Sequence, residues 1–259
     1  MAFLKTNYIK KDSVIHSLNP LVKFSWVSLV VVLFLFSGSM TLFIVVNIII
    51  LLLAFLGKVG RDFIKGLVFM IGPIFLFSLM IHGLFNPFGI SEEVLFSFYT
   101  INISLEGFYY GLFFGFKISA LISVFYLFIL TTYPGRMVTS LRTIGFPHKL
   151  GFLVNATLQI VPLMLREAET IIDAQRARGL ETKGSITKRL GAYVPLLGPI
   201  VLGSVMKVYE RTIALEVRGF SSTADKTSLY VENITLTDKL LIALSVVLLI
   251  IYVVFRVIG

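Results

Sequence analysis

Residues 21–56 form an almost unbroken apolar run, and its longest polar interruption is SGSMT at 37–41. A membrane span takes about 20 residues, so the run is too long for one span and long enough for two short ones joined by a tight turn. Only 14% of the 259 residues are charged, where soluble domains carry about a quarter. The sequence predicts an all-α, polytopic integral membrane protein with about five transmembrane helices. The predicted spans are about 21–36, 42–56, 64–85, 107–132 and 239–259.

The charges between these spans predict the orientation of the chain. Basic residues lie in the N-terminal segment and in the 57–65 connection, whereas the 86–106 connection has acidic residues and no Lys or Arg. Because cytoplasmic loops carry the excess of Lys and Arg, we expect the N-terminus inside and the C-terminus outside the cell membrane. The residues that decide this are Lys5, Lys10, Lys11, Lys58, Arg61, Lys65, Glu92, Glu93 and Glu106.

Residues 133–238 are predicted to be a cytoplasmic or interfacial region, because they hold thirteen of the 23 basic residues and nine of the 14 acidic ones. Their apolar periodicity predicts two long helices, at about 147–179 and 186–218. An apolar segment within the second helix, 191–206, is short for a span and contains Pro195 and Pro199. We interpret it as a helix bend at the membrane surface or buried against other helices.

The sequence offers no catalytic or metal-binding constellation. There is no cysteine, and the three histidines have no metal-ligand spacing. No phosphate-binding loop appears, so we expect neither cofactor nor ATP hydrolysis in this chain. The net charge of +9 is attributed to cytoplasmic loops rather than to nucleic-acid binding. Lys117, the one charge deep in the first four spans, is interpreted as a side chain that extends to the interface.

Two Arg-Gly pairs end the two long helices, at Arg178-Gly179 and Arg218-Gly219. Glycine after a helix adopts the left-handed conformation easily, and a cation in the last turn suits the helix dipole. Either pair alone is ordinary helix termination. Two pairs, with Asp173 and Glu216 upstream, predict two guanidinium groups that project toward acidic grooves of a partner.

The chain resembles the transmembrane T subunits of energy-coupling factor (ECF) transporters, the EcfT/CbiQ/BioN family. SVIHSLNPLVKF at 13–24 is similar to the family's N-terminal pattern, and the block at 131–179 resembles its most distinctive stretch. That block ends in Ala177-Arg178-Gly179, the first motif of the family. ALEVRGF at 214–220 resembles the second motif, with Val217 where alanine is often found.

The resemblance implies a non-catalytic subunit of an ABC-type importer for a vitamin or a transition-metal ion, in a bacterium or an archaeon. It implies two ABC ATPase subunits as partners, docked by the Arg-Gly ends with support from Arg176 and Glu216. It also implies a membrane S component that captures the substrate. The alternatives are a stand-alone secondary transporter, a membrane-embedded enzyme and a structural scaffold. Candidate S-component contacts are Pro195, Leu197, Pro199 and Val201.

Overall fold

The computed structural model describes residues 8–9, 11–85, 96–98, 101–103, 105–179, 186–222, 224 and 232–258, with backbone alone at 84–85, 96–98, 101–103, 186–195 and 257–258. Helices make up most of this part of the chain, which confirms the prediction of an all-α membrane protein. One short antiparallel ladder pairs β1 (Phe96–Phe98) with β2 (Ile101–Ile103). The helices are α1 (Val14–Ser17), α2 (Pro20–Phe36), α3 (Met40–Leu56), α4 (Gly60–Phe85), α5 (Leu105–Thr131), α6 (Pro134–Thr143), α7 (His148–Ala177), α8 (Ile186–Val217) and α9 (Leu236–Ile258).

The chain forms two compact units. Unit 1 comprises Met1–Ile144 and Glu232–Gly259, and unit 2 comprises Gly145–Val231. Unit 2 is therefore an insertion: the chain leaves unit 1 after Ile144 and returns to it at Glu232. Helix α6, which the sequence analysis placed with the cytoplasmic region, belongs to unit 1 and packs against α2. The predicted division at 132/133 and 238/239 stays a prediction.

Helix α5 is the central helix of unit 1 and contacts α2, α3 and α4. Its inward side chains meet those of the surrounding helices in a single apolar core, and large apolar side chains on the outer faces are exposed. An apolar exterior around an apolar core suits a lipid solvent, because lipid covers the outer face without cost. The buried core consists of Val27, Val30, Phe43, Ile50, Ala54, Val59, Phe63, Ala120, Val124, Leu127 and Leu130.

Small residues allow α5 to approach α4 closely. Gly107, Gly111, Gly115 and Ser119 recur every fourth position and are buried. A Cβ added at Gly111 would lie 3.2 Å from backbone atoms of α4, so a larger side chain there would force the helices apart. Such spacing is typical of membrane helix interfaces, where small residues let two backbones pack together.

Asn47 is a partly buried polar residue of α3, at its contact with α5. Its Nδ2 donates to the carbonyl oxygens of Phe43 and Phe116, at 2.9 and 3.1 Å. Its Oδ1 accepts hydrogen bonds from the hydroxyls of Ser119 and Ser123, at 3.0 and 3.5 Å. Because every polar atom of the amide has a partner, the side chain joins α3 to α5 without an unpaired group in the bilayer.

Four of the described helices are long and apolar enough to cross a membrane, and α2 and α3 are shorter apolar helices of 17 residues. Seventeen residues span roughly 26 Å, slightly less than the hydrocarbon core of about 30 Å. Helix α7 is one of these four by its length and composition alone. The predicted cytoplasmic or interfacial position of 133–238 stays a prediction. The four long stretches are Gly60–Gly83, Leu105–Thr131, His148–Ala177 and Leu236–Arg256.

Unit 2 is built on α7 and α8, which run antiparallel. The ring of Phe152, near the start of α7, lies 4.6 Å from the ring of Phe220, just past the end of α8. Further along, Glu167 of α7 pairs with Lys207 of α8. Since the α8 residue number falls as the α7 number rises, the two helices point in opposite directions and end at opposite ends of the pair.

Candidate functional site: two exposed Arg-Gly helix ends

The first Arg-Gly end closes α7. Gly179 has a φ of +93°, the left-handed conformation that glycine adopts without strain, and its N–H donates to the Arg176 carbonyl at 3.0 Å. The carboxylate of Asp173 accepts from Nη1 of Arg176 at 3.1 Å, rather than from Arg178. The Arg178 side chain is exposed, and no ion pair of it occurs among the described residues.

The second end closes α8 in a complete Schellman arrangement. Gly219 has a φ of +72°; its N–H donates to Glu216, and the N–H of Phe220 donates to Leu215. These bonds satisfy carbonyl groups that a helix end otherwise leaves unpaired. Glu216 accepts from the Ser221 hydroxyl at 2.7 Å. Arg218 is exposed and, in the part of the chain that the structure describes, has no ion-pair partner.

The two ends are far apart along the helix pair. Arg178 lies eleven residues beyond Glu167, and Arg218 lies eleven residues beyond Lys207 in the opposite direction. At 1.5 Å per residue, each end is about 16 Å from the contact between Glu167 and Lys207, which separates the two arginines by about 33 Å. Two exposed guanidinium groups at this spacing are too far apart to bind the same carboxylate.

The apolar segment of α8 contributes an exposed apolar surface. Leu197 and Val201 are more than half exposed, and Pro199 is exposed as well, whereas Leu196 is buried. Pro195 lies in α8, but its side chain is outside the described residues. Helix α7 carries a matching exposed stripe, and the members of the two stripes lie three or four residues apart. They are Leu150, Val154, Leu158, Val161 and Leu165 on α7, and Leu197, Val201, Val205 and Val208 on α8.

A second polar feature joins the two points where the chain leaves and re-enters unit 1. Arg136 of α6 makes a bidentate pair with Glu232: Nε donates to Oε1 at 2.6 Å and Nη2 to Oε2 at 2.9 Å. Its Nη1 donates to the His16 carbonyl at 2.8 Å. We call this arrangement the Arg136–Glu232 clasp. Nothing in the sequence pairs positions 96 residues apart, so sequence reasoning missed it. A proline at the first position of α6, Pro134, is the one local signal for the helix that carries Arg136.

Buried polar groups extend the clasp into the N-terminal segment. Lys23 is 3% exposed, and its Nζ donates to the Thr131 carbonyl at 2.8 Å. The His16 ring lies between the Ser13 hydroxyl and the Ile9 carbonyl. Burial lowers the pKa of His16, as do the positive charges of Lys23, Lys11 and Arg136, against the opposing hydrogen bond to Ile9. A neutral imidazole with its proton on Nε2 satisfies both ring nitrogens.

Lys117 lies at the middle of α5 (Leu105–Thr131) rather than near its end, and protein groups hold its side chain. Its Nζ donates to the Ser37 carbonyl at 3.3 Å, in the turn between α2 and α3. The ring centroids of Phe34, Phe43 and Phe113 lie 5.0 to 5.8 Å from the ammonium group. This contact with aromatic rings stabilises a charge that would otherwise be costly in the bilayer. Lys117 therefore joins α5 to the turn, and its contacts indicate a structural role.

Comparison with known proteins identifies the family of the chain. The family described as CbiQ, cobalt transport protein, matches residues 11–229. The chain belongs to this family. Energy-coupling factor transporter transmembrane protein EcfT of Staphylococcus aureus is 30% identical over 234 residues, covering 85% of each chain. EcfT of Bacillus selenitireducens is 30% identical over 252 residues, covering 91% of this chain and 90% of the relative.

These comparisons confirm the predicted resemblance to ECF transporter T subunits. EcfT of Thermanaerovibrio acidaminovorans, at 27% identity over 231 residues, matches 85% of this chain and 84% of its own. The chain is therefore a multi-pass membrane subunit of the EcfT type, a transporter component rather than a catalytic enzyme. Both Arg-Gly ends lie within the matched range 11–229.

Proposed function

We propose that the chain is the energy-coupling subunit of an ECF-type importer, with its N-terminus in the cytoplasm and its C-terminus outside. The two Arg-Gly ends dock in acidic grooves on two ABC ATPase subunits, one end on each. Movement driven by ATP passes through α7 and α8 to a membrane S component that carries a vitamin or a transition-metal ion. ATP hydrolysis belongs to the partners, and this chain needs no cofactor or metal of its own.

One observation carries the proposal. Arg178 and Arg218 are both exposed, both follow directly on a long helix, and lie about 33 Å apart on an antiparallel pair. A guanidinium group binds carboxylate through two parallel hydrogen bonds and keeps its charge at all physiological pH values. Each glycine ends its helix in a left-handed turn and adds no side chain there, so a partner groove can approach the helix end closely.

The docking proposal is tested by charge reversal. Arg178→Glu and Arg218→Glu are expected to weaken co-purification with the ATPase pair, since a carboxylate would face an acidic groove. Arg178→Lys should weaken it less, because an ammonium group keeps the charge but not the planar fork. Arg211→Glu is the matched control: Arg211 is exposed on α8, two turns before Arg218. Normal assembly and transport by the Arg178→Glu/Arg218→Glu double variant would refute the docking role.

The exposed apolar surface on α8 is proposed as the S-component contact, with Pro195, Leu197, Pro199 and Val201 as its residues. Leu197→Glu and Val201→Glu are expected to reduce capture of the S component while ATPase binding is kept, because a charge at an apolar contact must be desolvated. Ile213→Glu, at an exposed apolar position nearer the α8 end, is the control. Loss of ATPase binding with S-component capture intact would contradict the assignment.

Uptake measurements separate this function from the stand-alone carrier. The complex of this chain, the ATPases and the S component is reconstituted in liposomes with and without ATP. We expect substrate uptake only with the complete set and ATP. Uptake by this chain alone, without ATP, would establish a secondary transporter instead.

A further inference from the structure

The two Arg-Gly ends are related by a constant offset in the sequence. Arg178 and Arg218 are 40 residues apart, as are Gly179 and Gly219. The same offset relates Glu167 to Lys207, and these two side chains contact each other. Because α7 and α8 run antiparallel, this contact lies midway between the two Arg-Gly ends, eleven residues from each arginine.

The contact is an ion pair at the packed seam of α7 and α8. Nζ of Lys207 lies 2.5 Å from Oε2 of Glu167. A Cβ added at Gly203, one turn earlier on α8, would lie 3.6 Å from Oε1 of Glu167. This separation is an ordinary van der Waals contact, so the Glu167 carboxylate lies directly against the α8 backbone at Gly203.

We propose that the Glu167–Lys207 ion pair is the pivot of the two coupling helices, a positioning contact that sets the spread of the two Arg-Gly ends. The contact is equidistant from both ends, eleven residues from each arginine. A change in the crossing angle about this point therefore displaces each end by the same lever arm relative to the contact, so one contact keeps both ends matched to two partner grooves. The inference rests on the proposed docking function, although the pivot itself is a property of this chain.

The pair is suited to a pivot because it is specific but weak. The side chains are 46% and 27% exposed for Lys207 and Glu167, so water screens their attraction. A partly exposed pair contributes little to folding, yet its geometry favours one crossing of the helices over others. Two like charges at the same place would favour a different crossing. The pivot is therefore testable by reversing charges without removing packed apolar volume.

The experiment uses the absence of cysteine from the chain. Ala177→Cys and Val217→Cys, each next to an Arg-Gly pair and exposed, are spin-labelled in the full chain in nanodiscs. The distance between labels is measured by pulsed electron paramagnetic resonance. Each label lies ten residues from the contact between Glu167 and Lys207, so we expect one narrow distribution near about 30 Å. Glu167→Lys and Lys207→Glu should each broaden it and shift it by a few ångströms, and the combined exchange of both residues should restore it.

Control variants and a second readout distinguish a pivot from a general effect on folding. Glu210→Lys, a reversal at an exposed α8 position one turn away, should leave the distance unchanged, and Glu167→Gln should broaden it less than Glu167→Lys. In the reconstituted complex, substrate imported per ATP hydrolysed should fall several-fold in each single reversal and recover in the exchange. Unchanged distances in both single reversals, or no recovery in the exchange, would refute the pivot. Failure of the docking function would appear separately, as normal ATPase capture by the arginine variants.

Discussion

Disruption of the Arg136–Glu232 clasp should destabilise the protein more than any exposed ion pair does. The clasp holds together the points where the chain leaves unit 1 for unit 2 and returns from it. Arg136→Met removes three donated hydrogen bonds at once and leaves two acceptors, the Glu232 carboxylate and the His16 carbonyl, without their partner. Glu232→Gln keeps the shape of the side chain and one oxygen acceptor, so it should destabilise the protein less than Arg136→Met does.

The expected loss in the free energy of unfolding follows from how exposed the two clasp side chains are. The side chains of Arg136 and Glu232 are 35% and 22% exposed, between a surface pair worth about 0.2–1 kcal/mol and a buried pair whose breaking costs about 3–5 kcal/mol. Charge-assisted hydrogen bonds contribute about 1.5–3 kcal/mol when water replaces them poorly. We expect a loss in the free energy of unfolding of about 2–3 kcal/mol for Arg136→Met and about 1–2 kcal/mol for Glu232→Gln.

The assay is reversible unfolding of the full chain from mixed micelles by titration with a denaturing detergent, followed by helical circular dichroism. Asp62→Asn is the matched control, because Asp62 pairs with Lys11 at 3.3 Å and both side chains are more exposed, at 48% and 36%. Its cost should stay below about 0.5 kcal/mol. A double-mutant cycle of Arg136→Met and Glu232→Gln should give a coupling energy of about 1 kcal/mol or more. If both clasp variants cost no more than Asp62→Asn, the clasp does not hold the fold together.

Two further predictions concern glycines, measured by the same unfolding assay. Gly111→Val should lower the free energy of unfolding by about 2 kcal/mol or more, because its side chain would meet the α4 backbone at 3.2 Å. The control is Gly72→Ala, with nothing within 4 Å of the added Cβ. Equal losses in the two variants would contradict close packing of α4 and α5. Gly179→Ala and Gly219→Ala should each cost about 1 kcal/mol, because alanine is strained at positive φ, whereas Gly198→Ala in α8 should be neutral or stabilising. Stability gains at both positive-φ sites would contradict the left-handed helix ends.

The sequence was most informative where the bilayer constrains it. Apolar runs must be helical in lipid because their backbone groups have no other hydrogen-bond partner there. Gly and polar residues that follow such a run predict where the helix ends. The long helix expected at about 186–218 lies at Ile186–Val217, and the one expected at 147–179 lies at His148–Ala177. Both Arg-Gly ends have the expected positive φ at glycine. Local signals were sufficient for these features because each depends on neighbouring residues only.

Contacts between distant positions could not be predicted in this way. Arg136 and Glu232 are separated by 96 residues, and Asp238 accepts a hydrogen bond from the N–H of Asn19, 219 residues away. The burial of Lys23 also depends on elements distant in the sequence, since its partner is the Thr131 carbonyl. A basic residue just inside a span predicts a side chain directed to the interface, and only the packing of α2 against α5 makes it a buried one.

The Arg136–Glu232 clasp and the Glu167–Lys207 pair differ in strength in the way that the proposed coupling role would require. The clasp is bidentate, largely shielded and tied to the His16 carbonyl, so it favours a fixed geometry where the chain leaves and re-enters unit 1. The pair of Glu167 and Lys207 is single and more exposed, so α7 can rotate against α8 with little loss of free energy. The proposed coupling role requires a fixed geometry where the chain leaves and re-enters unit 1 and an adjustable geometry at the two Arg-Gly ends. Exchanging these properties, by strengthening the pivot and weakening the clasp, should therefore reduce transport per ATP even when both Arg-Gly ends are intact.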